Sequence, residues 1–138
     1  MCDHRRISAQ LTHADDPTTA DTLLRGLAEL VQAAPGFPPV PAVHVPDPPQ
    51  LRLEQAMLPR DAFFGPTEQV PIDKAAGRVA AEMLTPYPPG IPAALPGELL
   101  NEDVIDYLRT GHDAGMLIPD SADPELRSVR VAVQGGTA

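Results

Sequence analysis

Residues 77–98 read GRVAAEMLTPYPPGIPAALPGE, with five prolines between Pro86 and Pro96 and with Gly90 and Gly97 among them. Proline locks φ and has no amide hydrogen, while glycine admits positive φ. The segment is therefore stiff, poor in backbone donors and shaped by tight turns instead of ladder hydrogen bonds. It suits a wall or lid over a sheet. Arg78 to Leu84 is apolar and uninterrupted, and its period fits a strand and a helix equally.

Downstream, Asn101 is a good N-cap, Glu102 and Asp103 occupy the first turn, and Leu100 can staple to Ile105. Val104, Ile105 and Leu108 share one face with Tyr107 at its margin, and Gly111 supplies a stop, which predicts a ten-residue helix. Met116 to Ile118 and Ser128 to Val133 read as strands, the second with Val129, Val131 and Val133 alternating against Ser128, Arg130 and Ala132. Gly135 to Ala138 is expected to be a frayed tail. Upstream, Val70-Pro71-Ile72 fits a short strand at a sheet edge, and Asp73 to Ala76 one helical turn closed by Gly77.

Seven prolines crowd residues 35–49, a density that excludes helix and favours extended backbone, so a linker is expected there. A ligand for a proline-binding module is the functional alternative, but the run lacks flanking basic residues. Before the linker, Ile7, Ala9 and Leu11 alternate with Ser8, Gln10 and Thr12, the pattern of a half-buried strand whose sheet neighbours must come later or from missing sequence. Asp15, Asp16 and Pro17 stop it. A helix should then start from an Asp16 or Thr18 cap, carry Asp21 in its first turn and run to about Ala34. Its stripe of Ala20, Leu23, Leu24, Leu27, Leu30, Val31 and Ala34 reads as core. The expected organisation is a strand–helix unit over 1–34, a proline-rich linker over 35–50 and a domain over 51–138.

At 138 residues and 43% hydrophobic content the chain can bury a real core. With no Trp and only five Phe and Tyr, that core must be aliphatic. A net charge of -9 argues against nucleic acid, which needs a basic footprint. Cys2 is the only cysteine, so no intrachain disulfide forms and a cytoplasmic setting is expected. Arg5-Arg6 is followed by no apolar signal region, and no apolar run approaches the ~18 residues of a membrane span.

No metal site is expected from His4, His13, His44 and His112, whose spacing matches no ligand pattern. Ser8, Ser121 and Ser128 lie in no strained glycine elbow and Cys2 is terminal, so none is a candidate nucleophile.

Phe63-Phe64, Ala76-Gly77-Arg78, Ala81-Glu82, Tyr87-Pro88-Pro89-Gly90-Ile91-Pro92 and Pro96-Gly97-Glu98 follow one another in an order that resembles the C-terminal domain of the ornithine/lysine/arginine decarboxylases over about residues 51–133. Asp3-His4-Arg5-Arg6-Ile7 and the strand–helix unit resemble the end of the aspartate-aminotransferase-type small domain that precedes it. The resemblance implies an α+β fold: a small mixed αβ C-terminal domain after a strand–helix remnant of that small domain.

It also implies the tail of a fold-type-I carboxy-lyase of polyamine metabolism, which decarboxylates a basic amino acid with pyridoxal phosphate as electron sink. In the family the Schiff-base lysine follows Ser-x-His in the large domain. The only lysine here is Lys74, within Ile72-Asp73-Lys74-Ala75, with neither that motif nor a glycine-rich phosphate loop nearby. This chain alone is expected to hold no catalytic residue and no cofactor. Its expected partners are the decarboxylase large domain or a homodimer partner, where it would help complete the active site. The alternative is a stand-alone binding or regulatory module that associates with an intact decarboxylase.

Candidates near substrate or interface are peripheral: Tyr87 for a hydroxyl or ring at a pocket mouth, Gly90 in the same loop, and Glu82 or Glu98 for a cationic substrate tail or a pair with Arg78. A structural hydrogen bond or ion pair is the competing role for Tyr87, Glu82, Glu98 and Arg78.

Overall fold

The computed structural model describes residues 6–39 and 41–133. Cys2, the Asp3–Arg5 lead-in with His4, and the tail Gly135–Ala138 lie outside the described residues. The chain divides into two compact units, Met1–Val40 and Pro41–Ala138.

In the first unit, helix α1 (Pro17–Ala33) starts where Asp16 Oδ1 accepts the Thr19 amide at 2.9 Å, with Pro17 at the first helical position. Asp21 therefore falls beyond the first turn, which holds no acid. The apolar stripe is present but does not form a core: none of α1's residues is buried, and Leu24 and Val31 are 63% and 73% exposed. The strand expected at residues 6–12 does not form either. Only Ile7 has bridge geometry, and Ile7 and Leu11 are about 60% exposed. Alternation chooses which side chains share a face, but it does not set how far a ladder extends.

The second unit is built around an irregular sheet. Strand β1 (Thr67–Pro71) pairs antiparallel with β2 (Ser128–Ala132), in register from Thr67 opposite Ala132 to Pro71 opposite Ser128. Pro71 ends its strand, where the missing amide costs no ladder bond. On the other edge of β2, residues 79–81 run extended: Ala81 donates to Arg130 O and Ala132 to Val79 O. Those residues in turn meet 97–100 through single bridges such as Val79 to Leu99. Arg78 to Leu84 is thus not helical: it makes single bridges at Val79, Ala80 and Leu84, with bends at Arg78 and Glu82. Gly97 joins three segments, donating to Ala80 O while its carbonyl accepts from Ala56 and Met57. Of the strand expected at Met116–Ile118, only a Leu117 bridge to Tyr87 forms.

Helix α3 (Glu102–Asp113) begins at Asn101, whose Oδ1 accepts the Val104 amide at 2.8 Å. It buries Val104, Ile105 and Leu108 against Val70, Leu84, Leu100, Val129 and Val131, with Tyr107 packed at the margin. Each fully buried side chain of this size contributes about 1.5–3 kcal/mol. The helix does not stop at Gly111. That residue is buried inside α3, where a side chain would press on Met116 Sδ, and the left-handed turn comes at Gly115 (φ 91°). Val133 lies past the strand, 44% exposed, while Ala132 is buried.

A short helix α2 (Pro59–Phe64) precedes β1, and a 3-10 turn (Ile72–Lys74) follows it. Within residues 41–50, Pro46 is buried, His44 donates its amide to Thr110 Oγ1, and Gln50 O accepts from Asn101 Nδ2. This part of the proline-rich run is thereby fastened to α3.

Candidate functional site

Of the five singled-out residues only Tyr87 and Gly90 sit together. Tyr87 exchanges backbone hydrogen bonds with Leu117, at 2.7 and 3.1 Å, which fixes the start of the proline loop against residues 116–118. The chain then turns at Gly90 (φ 87°), whose amide donates to Pro86 O and where a Cβ would stand 3.3 Å from the Tyr87 ring. Pro86 is buried, whereas Tyr87, Ile91 and Leu117 are 48%, 70% and 67% exposed. The loop is a wall with an apolar outer face.

The charged candidates diverge. Glu82 is 2% exposed, and its two oxygens accept the amides of Arg130 and Ala122. Burial of a carboxylate requires such donors, and with both oxygens engaged it faces no open space. Arg78 forms an ion pair with Glu68 across the sheet, not with Glu82 or Glu98. Glu98 Oε2 accepts the Leu95 amide at 2.8 Å and so braces the Pro96-Gly97 turn.

Other titratable groups serve the fold. Burial raises the Asp123 carboxyl, but hydrogen bonds from Glu125 and Ser128 and the nearby Arg127 guanidinium outweigh it and leave the group below its ordinary range. The Tyr107 phenol is pushed up by burial. A shallow cleft of about 170 Å³ is lined by Asp73, Ala76, Glu102, Ile105, Asp106 and Arg109, and Arg109 already contacts Asp106. Among the described residues no group of three or more His, Cys, Asp or Glu side chains could hold a metal ion.

A pyridoxal phosphate would need an amine, an acid for its ring nitrogen and a phosphate cradle. Lys74 is exposed at the end of its 3-10 turn and forms no ion pair with a described acid. The described residues do not assemble these three groups around it.

A feature the sequence reading passed over lies at α2. The Phe63 and Phe64 rings meet edge to face, 5.0 Å between centroids, and Phe63 covers the Arg130 guanidinium at 5.1 Å. Phe63-Phe64 stood out only as a motif, and Arg130 only as a polar position alternating with valines.

Among the described residues the candidate side chains do not converge on one site. Residues 47–134 match the family model for the Orn/Lys/Arg decarboxylase, C-terminal domain. The chain belongs to that family. Among the family's relatives, the arginine decarboxylase of Bacillus subtilis is 36% identical over 134 residues, 95% of this chain but 26% of that protein. The inducible lysine decarboxylase of Escherichia coli K12 is 39% identical over 70 residues, 46% of this chain and 10% of that one. The solved structure of the Escherichia coli constitutive lysine decarboxylase superposes with a TM-score of 0.56 over 87% of this chain and 24% of that one, at 23% identity, and shares the fold. The chain spans about a quarter of the length of the Bacillus subtilis relative. The mixed α and β architecture is that of a decarboxylase C-terminal domain. No helix among the described residues is long and apolar enough to cross a membrane.

Proposed function

We propose that the chain is the C-terminal portion of a pyridoxal-phosphate-dependent, cytoplasmic decarboxylase of a basic amino acid, where it packs on the large domain and helps complete a dimeric active site. The observation that carries this reading is a well-formed core with no convergent catalytic group among the described residues, in a family where this chain matches 26% of the Bacillus subtilis arginine decarboxylase and 10% of the Escherichia coli inducible lysine decarboxylase. The cofactor, the Schiff-base lysine and the substrate side-chain pocket then belong to the remaining portion. This chain supplies rigid walls, the Tyr87–Ile91 loop among them.

Two experiments test it. The chain is incubated with pyridoxal phosphate, reduced with borohydride and examined by mass spectrometry; a stoichiometric adduct on Lys74 accompanied by decarboxylation sinks the proposal. In the complementary test the chain replaces the matching segment of the Bacillus subtilis arginine decarboxylase. The fusion is expected to recover activity that the truncated enzyme lacks.

A second reading, a separate module that binds an intact decarboxylase, is favoured by the uncovered apolar stripe of α1 and by exposed Phe64. Pull-down with an intact decarboxylase separates the two, because the second reading requires retention.

A further inference from the structure

We infer that the free edge of β1 is a pairing surface for a second copy of this chain, which adds antiparallel across a twofold axis at Gln69. Two bonds just beyond the strand fix which backbone groups point outward. Ile72 donates to Arg127 O and Val133 to Pro66 O, each between directly opposed residues of the register that sets Val70 opposite Val129. Opposed residues of an antiparallel pair alternate between hydrogen-bonded and non-hydrogen-bonded. Glu68 and Val70 therefore aim their amides and carbonyls at β2, whereas Thr67, Gln69 and Pro71 aim theirs away from it. The other edge of β2 is taken by residues 79–81, but no strand or bridge lies along the outer edge of β1 among the described residues. Thr67, Gln69 and Pro71 are all exposed, and no described residue accepts from the Thr67 or Gln69 amide.

An unpaired edge takes up a strand through its main chain, and its own sequence decides which strand fits. With Gln69 opposite its own copy, each Gln69 amide meets the partner's Gln69 carbonyl and each Thr67 amide meets the partner's Pro71 carbonyl. Both outward donors of each copy then have acceptors. Pro71 has no amide and offers only a carbonyl, which is what the Thr67 amide across the axis requires. The Thr67 carbonyl stays with water.

Charge selects this register over its neighbours. Centring the axis on Glu68 would also bond both amides, but would set two like carboxylates directly opposite each other, a destabilising pair. Centring it on Val70 would carry the Thr67 amide past the end of the partner's strand. With the axis at Gln69, Glu68 faces the partner's Val70 and keeps Arg78 as its counter-charge, while two neutral amide side chains meet at the centre. The contact uses the same edge on both copies, so it closes at a dimer and leaves no edge for a third chain. This pairing is independent of whether the chain belongs to a longer decarboxylase.

The test uses the full chain in a Cys2→Ser background carrying Gln69→Cys or Thr67→Cys, equilibrated with oxidised and reduced glutathione. Opposed Gln69 positions hold their Cα atoms about 5.5 Å apart, within disulfide reach, whereas the two Thr67 positions are offset by roughly 14 Å along the strands. Gln69→Cys should therefore give at least about tenfold more disulfide dimer than Thr67→Cys. Sedimentation of the parent chain from about 10 µM to about 1 mM at physiological ionic strength should show a monomer passing to a dimer. Gln69→Pro, which removes an amide that faces away from β2, should abolish that dimer. Gln69→Glu, which sets like charges at the axis without touching the backbone, should weaken it several-fold. The pair Leu24→Gln and Val31→Gln on α1 should leave it unchanged, and melting curves establish that each variant is folded. A parent chain that stays monomeric, a dimer that survives both folded Gln69 variants or is lost with the α1 pair, or equal cross-linking at residues 67 and 69 overturns the inference.

Discussion

Glu82 Oε1 accepts the backbone N–H of Arg130 at 2.6 Å, and its other oxygen accepts that of Ala122 at 2.7 Å. One buried carboxylate therefore fastens the segment before the proline loop to β2 and to the turn that leads into it. Charge-assisted bonds of this kind are about twice as strong as neutral ones. Removing the acceptor strands two donors, so Glu82→Ala is expected to destabilise the chain by about 2–5 kcal/mol, and Glu82→Gln, which keeps one acceptor oxygen, by less. Urea denaturation measures both. A Glu82→Ala chain as stable as the parent would return Glu82 to the list of substrate contacts.

The same residue illustrates what could be read in advance. Glu82 stands in Ala80-Ala81-Glu82-Met83-Leu84, where nothing local distinguishes a buried acceptor from an exposed acid, because its donors lie 40 and 48 residues away. By contrast α3 was legible, since its cap at Asn101 and its stripe of Val104, Ile105 and Leu108 are local. Gly111 misled because a glycine can end a helix or make room for a neighbour, and Met116 determines which. Residues 6–12 misled because alternation specifies facing but not a pairing partner.

Gly97 and Gly77 separate two uses of positive φ. Both are left-handed, at 90° and 77°, which costs an L-residue about 1–2 kcal/mol. A Cβ at Gly77 meets open space, whereas at Gly97 it would collide with the Met57 carbonyl oxygen and the Gln55 amide. Gly77→Ala should lose about 1–2 kcal/mol and Gly97→Ala about 2–5 kcal/mol, with overpacking added to the conformational cost. Comparable melting temperatures for the two variants would refute the close approach at Gly97.

Asp123 sets a pH dependence. Its folded carboxyl titrates below the ordinary value of 3.8, because the Glu125 and Ser128 hydrogen bonds and Arg127 outweigh the opposing effect of burial. A depressed carboxylate contributes stability that is present above its unfolded value and is lost as pH falls through the folded one. The loss should therefore begin near pH 3.8 and continue below it. Asp123→Asn is expected to flatten the stability profile in that window, measured as urea midpoint against pH. Parallel profiles for the two proteins would mean that Asp123 contributes no such linkage.

The uncovered stripe of α1 connects the first unit to the proposed function. Leu24 and Val31 are exposed in the chain, so changing both to Gln should leave its unfolding free energy, measured in urea, within about 0.5 kcal/mol of the parent. If the large domain covers that stripe in the assembled enzyme, each side chain is worth about 1.5–3 kcal/mol there. The double variant should then weaken docking by roughly two to four powers of ten, at about 1.4 kcal/mol per decade. Placed in the fusion with the Bacillus subtilis arginine decarboxylase, it should lower activity while the isolated chain stays folded. Full activity in the variant fusion would show that the stripe is not where this chain meets the large domain.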